Sequence, residues 1–319
     1  MPSVISWPPI PIFELGPLNL SLHGLFAALG FLAGAVVATK LAVRWGYDDA
    51  KIQSTLTWGL VGAILGARYF TAPAQIIGGM DLLSALNPIV GNFSILGGML
   101  GGILAGYYRI RKLGLSFWET SDFWAIGLAI GTIVGRIGDL LIVEHLGSES
   151  SSFLAFGIKP GYRPAPQHTV LQAACDASDT PVGEVCASYH FSSFYDMIGA
   201  TILLAVLVFL YKKWTSRRVG QMFGLWVVWY AIQRFLLDFT RLVPEGQVGA
   251  GAADAHLGAF TYSQWSGLAA SLLGLAMVWW FSRNETTEVA WNANRDRAEE
   301  ITPGEESATP TDDDAEVGS

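Results

Sequence analysis

The sequence is poor in charge, in cysteine and in every short motif that marks a soluble catalyst. Charged residues make up 14% of its 319 positions, against about 25% in an ordinary soluble domain. That leaves too little charge for a solvated surface or a basic face, and nucleic acid is excluded as a partner. Cys175 and Cys186 are the only cysteines, too few for a disulfide-built scaffold. There is no phosphate loop, no dinucleotide fingerprint after a strand, no H-E-x-x-H and no C-x-x-C. The five histidines (His23, His145, His168, His190, His256) show no metal-ligand spacing. No cofactor and no metal are therefore expected.

What charge there is lies unevenly. The net charge is −8, yet residues 1–282 carry 16 basic and 16 acidic side chains and are neutral. The whole imbalance sits in residues 283–319, which have 3 basic and 11 acidic residues and almost no aliphatics. Such a segment cannot bury enough surface to fold and reads as a disordered acidic tail.

Apolar residues, by contrast, are 51% of the chain, with a mean hydropathy of +0.39. A bilayer core about 30 Å thick needs about 20 mostly apolar residues per helix. Seven stretches qualify: 20–43, 54–77, 93–110, 122–145, 193–213, 219–239 and 260–282. Trp45, Trp118, Trp214 and Trp265 fall near their ends, where amphipathic rings anchor at the interface. The loops at 44–53, 111–121 and 212–218, with Arg109 at a rim, hold nine Lys/Arg; those at 78–92, 146–192 and 240–259 hold three. The positive-inside rule then puts the N-terminus outside and the C-terminus in the cytoplasm. The expectation is an all-α, polytopic integral membrane protein of about seven transmembrane helices. Residues 1–282 form the membrane domain, with an extracytoplasmic loop at 146–192 where Cys175 and Cys186 could pair or stay free.

Ionisable groups within spans are costly and need a reason. Lys40 and Asp122 lie within a turn of the cytoplasmic ends and can snorkel or cap. Arg68, Arg136 and Arg234 lie deeper, all in the outer halves of their spans. Asp139 and Glu144 follow Arg136; Asp238 and Arg241 follow Arg234; His23, His190, Tyr195 and Asp196 sit at outer starts. This one-sided distribution predicts a polar cavity open toward the outer leaflet, where arginine forks could hold a lipid phosphate. The same residues can also be read as local ion pairs, Arg136–Asp139 and Arg234–Asp238 being one helical turn apart. Gly97, Gly98, Gly101, Gly102 and Gly106 form a small-residue face, as do Gly127, Gly131, Gly135 and Gly138, and such faces usually pack helices. Gly97 and Gly98 could instead line the cavity.

Several of these segments together resemble one family. Gly135-Arg136-Ile137-Gly138-Asp139, with Glu144 and Gly147, is similar to the G-R-x-G-N…N-G-E…G signature of the prolipoprotein diacylglyceryl transferases. His190 to Asp196 resembles that family's H-P-S-Q-L-Y-E run, Gly66-Ala67-Arg68-Tyr69 its G-G-R segment, and Arg234, Asp238 and Arg241 its late R…E…R. The similarity covers about residues 15–282, in motif order. It implies transfer of the diacylglyceryl group of phosphatidylglycerol to the thiol of a lipobox cysteine, in the bacterial plasma membrane, with release of glycerol 1-phosphate. Phosphatidylglycerol and prolipoprotein signal peptides would be the partners, and a monomer is expected. By the same resemblance Arg136, Arg234, Glu144, His190 and Tyr195 would be catalytic, and Arg68, Arg136, Asp139, Arg241, Gly97, Gly98, His23 and Asp238 would bind substrate. The chain departs from the pattern: Leu96-Gly97-Gly98 stands for the family's H-G-G, Asp139 for its asparagine, Ile142-Val143 for its second asparagine-glycine, and His23 for its early tyrosine. Leucine accepts no proton, so His23, His145 and His190 are left as possible bases. A catalytically inactive lipid-binding homologue and an anion transporter are the alternative readings.

Overall fold

The computed structural model describes residues 5–10, 13–15, 18–77, 79–87, 94–163, 168–214, 217–241 and 256–283. The acidic tail expected beyond Phe281 falls almost wholly outside them, as does the side chain of His256.

Seven helices have 18 or more residues: α1 Leu22–Arg44, α2 Asp49–Tyr69, α5 Ile95–Lys112, α6 Phe117–Ile142, α8 Ser192–Lys213, α9 Gln221–Asp238 and α10 Tyr262–Ser282. Short helices α3 (Ala72–Ile77), α4 (Leu82–Leu86) and α7 (Thr169–Asp176) complete the set. The starts follow local chemistry. Ser21, Asp48, Ser94 and Ser116 accept hydrogen bonds from first-turn amides of α1, α2, α5 and α6, and Thr261 with Gln264 forms a capping box on α10. Four helices, Leu22–Arg44, Phe117–Ile142, Ser192–Lys213 and Ser263–Ser282, are both long and apolar enough to cross a membrane. Many of their large apolar side chains, such as Leu32, Phe209 and Leu272, are exposed; hydrocarbon is the solvent for such a surface. The protein is a polytopic membrane protein.

The helices pack in pairs with glycine at the seams. In the α1/α6 pair, Gly30 and Gly34 lie against Gly131 and Gly127, so closely that a Cβ on Gly34 would come 2.4 Å from the Gly127 carbonyl. In the α2/α5 pair, Gly62 and Gly66 meet Gly101 and Gly97 the same way. Helices share no hydrophobic drive toward each other in lipid, so close backbone approach supplies the attraction. Helices α8 and α9 complete the bundle around α6, and α10 packs on α9. At one end of the bundle α6 also meets the α8–α9 turn, where the Asp122 carboxylate accepts the Gly220 and Phe223 amides (2.8 and 2.9 Å) and so caps α9.

The all-α expectation needs one correction. The described residues of the 146–192 segment form a small folded head with an antiparallel sheet in the order β3 (Leu146–Glu149), β5 (Ala187–Phe191), β4 (Phe156–Ile158). Three strands of three to five residues scattered through a polar loop have too little period-two pattern to stand out. Their burial explains them: Leu146, Phe156, Ile158, Tyr189 and Phe191 form one apolar core with Val143, Leu171 and Cys175, and Ile5 and Trp7 from the N-terminal segment pack on it. Cys175 and Cys186 are disulfide-bonded. Smaller hairpins pair β1 (Phe13–Leu15) with β2 (Leu18–Leu20) and β6 (His256–Leu257) with β7 (Phe260–Thr261). A second difference concerns the expected 54–77 span, which ends at Tyr69 before the short α3.

Gly34→Ala should cost about 1–3 kcal/mol, because neither backbone can yield. Gly24→Ala, with nothing within 4 Å of the added carbon, should be neutral. Thermal denaturation in detergent compares the two, and equal melting temperatures would refute the seam. Removing the Cys175–Cys186 bridge, which closes 11 residues of sequence separation, should cost the head about 2–3 kcal/mol. Cys175→Ser and reductant should lower its melting by the same amount.

Candidate active site

The polar residues gather at the end of the bundle where α1, α8 and α10 begin and α6 and α9 end. Arg136, on the penultimate turns of α6, is their hub. Its Nη1 donates to Asp139 Oδ2 at 2.5 Å within the same helix, and its Nε donates to Asp196 Oδ2 at 2.5 Å across to α8. Both carboxylates are buried, so the desolvation of each is offset by the shared guanidinium. Nη2 makes no hydrogen bond among the described residues, and the arginine side chain is 29% exposed. The hub therefore keeps donors aimed at space.

Asp139 also accepts from His23 Nδ1 at the start of α1. Glu144 Oε2 lies 3.4 Å from the same nitrogen. Glu144 is placed by an unusual turn: Val143 and His145 both have left-handed backbone (φ 54° and 65°), a conformation costly for a β-branched residue. The Glu144 amide donates to the Asp139 carbonyl at 2.8 Å, and Ser193 Oγ donates to the Glu144 carbonyl at 2.8 Å. His145 Nδ1 faces Arg241 Nη2 at 3.1 Å. Gly147 lies so close to Thr240 that a Cβ would come 1.9 Å from its carbonyl oxygen. Head and α9 are thus in backbone contact.

Arg234 on α9 pairs with Asp238 at 3.6 Å and donates to Ser263 Oγ at 3.1 Å. Asp238 accepts from Thr261 at the start of α10. Gln233, next to Arg234 in α9, ties that helix to the Arg136 group: its Nε2 donates to both the side chain and the carbonyl of Asp196, and its Oε1 accepts from Trp229 Nε1 at 3.0 Å. His190 and Tyr195 form a neighbouring pair, Nδ1 to OH 3.2 Å. Burial lowers the His190 pKa.

Residues His23, Arg136, Asp139, Glu144, Arg234, Asp238 and Arg241 therefore come to one end of the bundle. Arg68 stands apart. It is 1% exposed and donates to the carbonyls of Ala85 and Asn87, both at 2.7 Å from Nη2, which caps the C-terminus of α4. Gly97 and Gly98 face α2, where Gly66 and Phe70 crowd Gly97 and Ala67 lies 3.3 Å from a Cβ on Gly98. Helix packing accounts for both. Gln233 escaped the sequence reading because a search for ionisable groups passes over neutral amides. An uncharged polar residue beside Arg234 in an apolar helix was the available signal.

Only one group of described residues could hold a metal ion: His23, Asp139 and Glu144, with ligand atoms within 4.8 Å of one another. The Arg136 cation already sits on Asp139, and a second cation there would be repelled.

These observations define a membrane protein with an arginine-carboxylate site at one end of a helical bundle. The chain belongs to the prolipoprotein diacylglyceryl transferase family, whose model it matches over residues 11–280. A phosphatidylglycerol–prolipoprotein diacylglyceryl transferase of Pseudoalteromonas atlantica is 29% identical over 283 residues, covering 87% of this chain and 91% of that protein. Its namesake in Thermus thermophilus is 29% identical over 278 residues, covering 83% and 95%. That of Gloeobacter violaceus is 25% identical over 282 residues, covering 88% and 95%.

The turn that carries Glu144 depends on His168. Its Nε2 accepts the Leu146 amide at 3.1 Å, so its proton is on Nδ1, which is buried without a partner among the described residues. Burial lowers the His168 pKa from 6.5 to about 4. The unfolded imidazole binds a proton near pH 6.5 and the folded one does not, so stability is complete above about pH 6.5 and lost as pH falls toward 4. The loss should reach about 3 kcal/mol. Protection factors of the β3–β5 amides, corrected for the pH dependence of intrinsic exchange, should fall over that window in the wild type and less in His168→Gln. A flat profile would contradict the assignment.

Proposed function

We propose that this chain transfers the diacylglyceryl group of phosphatidylglycerol to the cysteine thiol of a lipobox, as the names of its relatives describe for them. The observation that carries the reading is Arg136, held between Asp139 and Asp196 with its remaining fork uncommitted. Breaking the carbon–oxygen bond of the glyceryl group leaves a second charge on the phosphate. Fixed guanidinium donors in a low-dielectric site lower that cost without reorganising. Arg136 and Arg234 bind the headgroup phosphate in this reading. Asp139, Asp238 and Glu144 orient them, Arg241 supports the Glu144 turn through His145, and His190 with Tyr195 borders the acceptor path. Arg68, Gly97 and Gly98 act indirectly, Arg68 by holding α4 to α2 and the glycines by packing α5 on α2.

All seven long helices span the membrane in this proposal, with the polar end and its cavity toward the outer leaflet. The basic loops at the other end support that orientation. So does the disulfide-bonded head, which suits an oxidising compartment. The N-terminus is then extracytoplasmic, the acidic C-terminal tail cytoplasmic, and the working unit a monomer.

Protein in nanodiscs would be given phosphatidylglycerol and a lipobox peptide, with thioether formation and glycerol phosphate release as readouts. Arg136→Lys preserves charge for Asp139 and Asp196 but loses the fork, and should lower turnover about 10²-fold. Arg234→Ala should weaken lipid binding as well. Unchanged lipid binding and turnover in both variants would sink the phosphate role. Wild type that binds phosphatidylglycerol and yields no thioether would establish the inactive lipid-binding reading, which Leu96 in place of the family's histidine favours.

A further inference from the structure

We propose that His23, oriented by Asp139, is the base that takes the proton from the acceptor thiol; this rests on the transferase reading above. The geometry separates the histidines by what surrounds each ring. His168 is fully buried with Nε2 committed to the Leu146 amide. His145 has Arg241 Nη2 at 3.1 Å from Nδ1, and a cation there opposes a second one on the ring. His190 meets Tyr195 OH and no carboxylate among the described residues. His23 alone of these combines access with two carboxylates. Its side chain is 49% exposed, Asp139 Oδ1 accepts from Nδ1, and Glu144 Oε2 is 3.4 Å away.

That arrangement settles the chemistry of the ring. Asp139 is 2% exposed and already ion-paired to Arg136, so it is a carboxylate and Nδ1 carries the proton. In the neutral ring Nε2 then holds a lone pair, and it makes no hydrogen bond among the described residues. This is the division of labour of a nucleophile-activating histidine and its orienting carboxylate. The charged and titratable groups facing His23 are Asp139 and Arg136 from α6 and Glu144 and His145 from the following turn. The two carboxylates stabilise the imidazolium. Arg136 and His23 share Asp139, so the proposed base and the phosphate donors belong to one carboxylate network.

In the step itself the thiol proton moves to Nε2 and the sulfur lone pair forms a bond to the terminal glyceryl carbon. The bond from that carbon to the phosphate oxygen breaks with its electron pair, and glycerol phosphate departs. The imidazolium then returns its proton to the released phosphate or to water. No oxidant or further reactant is required.

The test uses full-length protein in nanodiscs with phosphatidylglycerol and a lipobox peptide. His23→Asn retains an N–H donor for Asp139 but has no base. It should lower kcat at least 100-fold while phosphatidylglycerol affinity stays within threefold. The acid limb of the pH–rate profile should vanish with the residual activity. His23→Ala, should it be equally slow, should regain at least tenfold on addition of imidazole, which a merely structural role would not allow. Asp139→Asn, a positioning change, should shift the acid limb rather than abolish it. His23→Asn within threefold of wild type across pH would overturn the assignment and leave the transferase reading intact. Activity abolished by EDTA would overturn it in favour of a cation held by His23, Asp139 and Glu144. A wild type that makes no thioether would overturn both.

Discussion

The structure turns on the sharing of one guanidinium between two buried carboxylates. Arg136 bridges α6 to α8 through Asp196 and holds Asp139 within its own helix. Without it, each carboxylate would be an uncompensated charge in an apolar bundle, a cost of several kcal/mol apiece. With it, the carboxylates become reliable acceptors: Asp139 for His23 and Asp196 for Gln233. Four helices, α1, α6, α8 and α9, are tied together at one end by this single chain of hydrogen bonds. The glycine seam between α1 and α6 brings those two helices close enough for the His23–Asp139 bond to form.

The composition of the bundle follows from the same constraint. Many of the large side chains that face outward from the bundle are apolar. Asp122 illustrates the economy. It is buried, and it satisfies two otherwise unpaired amides at the start of α9. Its explanation is structural and separates it from the residues at the opposite end, which keep unused donors.

Much of the helical framework was legible from hydropathy alone, because apolar runs of this length leave few alternatives. Expected and observed helices agree within a few residues for α1, α5, α8, α9 and α10. The sheet was not legible: residues such as Phe156 and Tyr189 show their role only when the fold brings Trp7 and Phe191 to them. At the polar end, counting costly ionisable residues found Arg136, Asp139, Glu144, Arg234 and Asp238. It could not separate Arg68, whose guanidinium is as costly but is consumed by the carbonyls of Ala85 and Asn87. Nor could it rank the histidines, since Asp139 lies 116 residues from His23 and Arg241 lies 96 residues from His145 in the chain. Gly97 and Gly98 show the same limit, because spacing cannot tell a packing glycine from one that lines a cavity.

The left-handed backbone at Val143 and His145 has a further consequence. Glu144 sits between two residues that few L-amino acids adopt willingly, with its amide and carbonyl both tied down. Val143 is completely buried under the head core, so the knuckle cannot unwind without opening that core. The conformational entropy of the Glu144 backbone is therefore surrendered when the protein folds, well before any lipid arrives. A ligand that meets this carboxylate finds it already immobilised, and its binding energy need not be spent on ordering the loop.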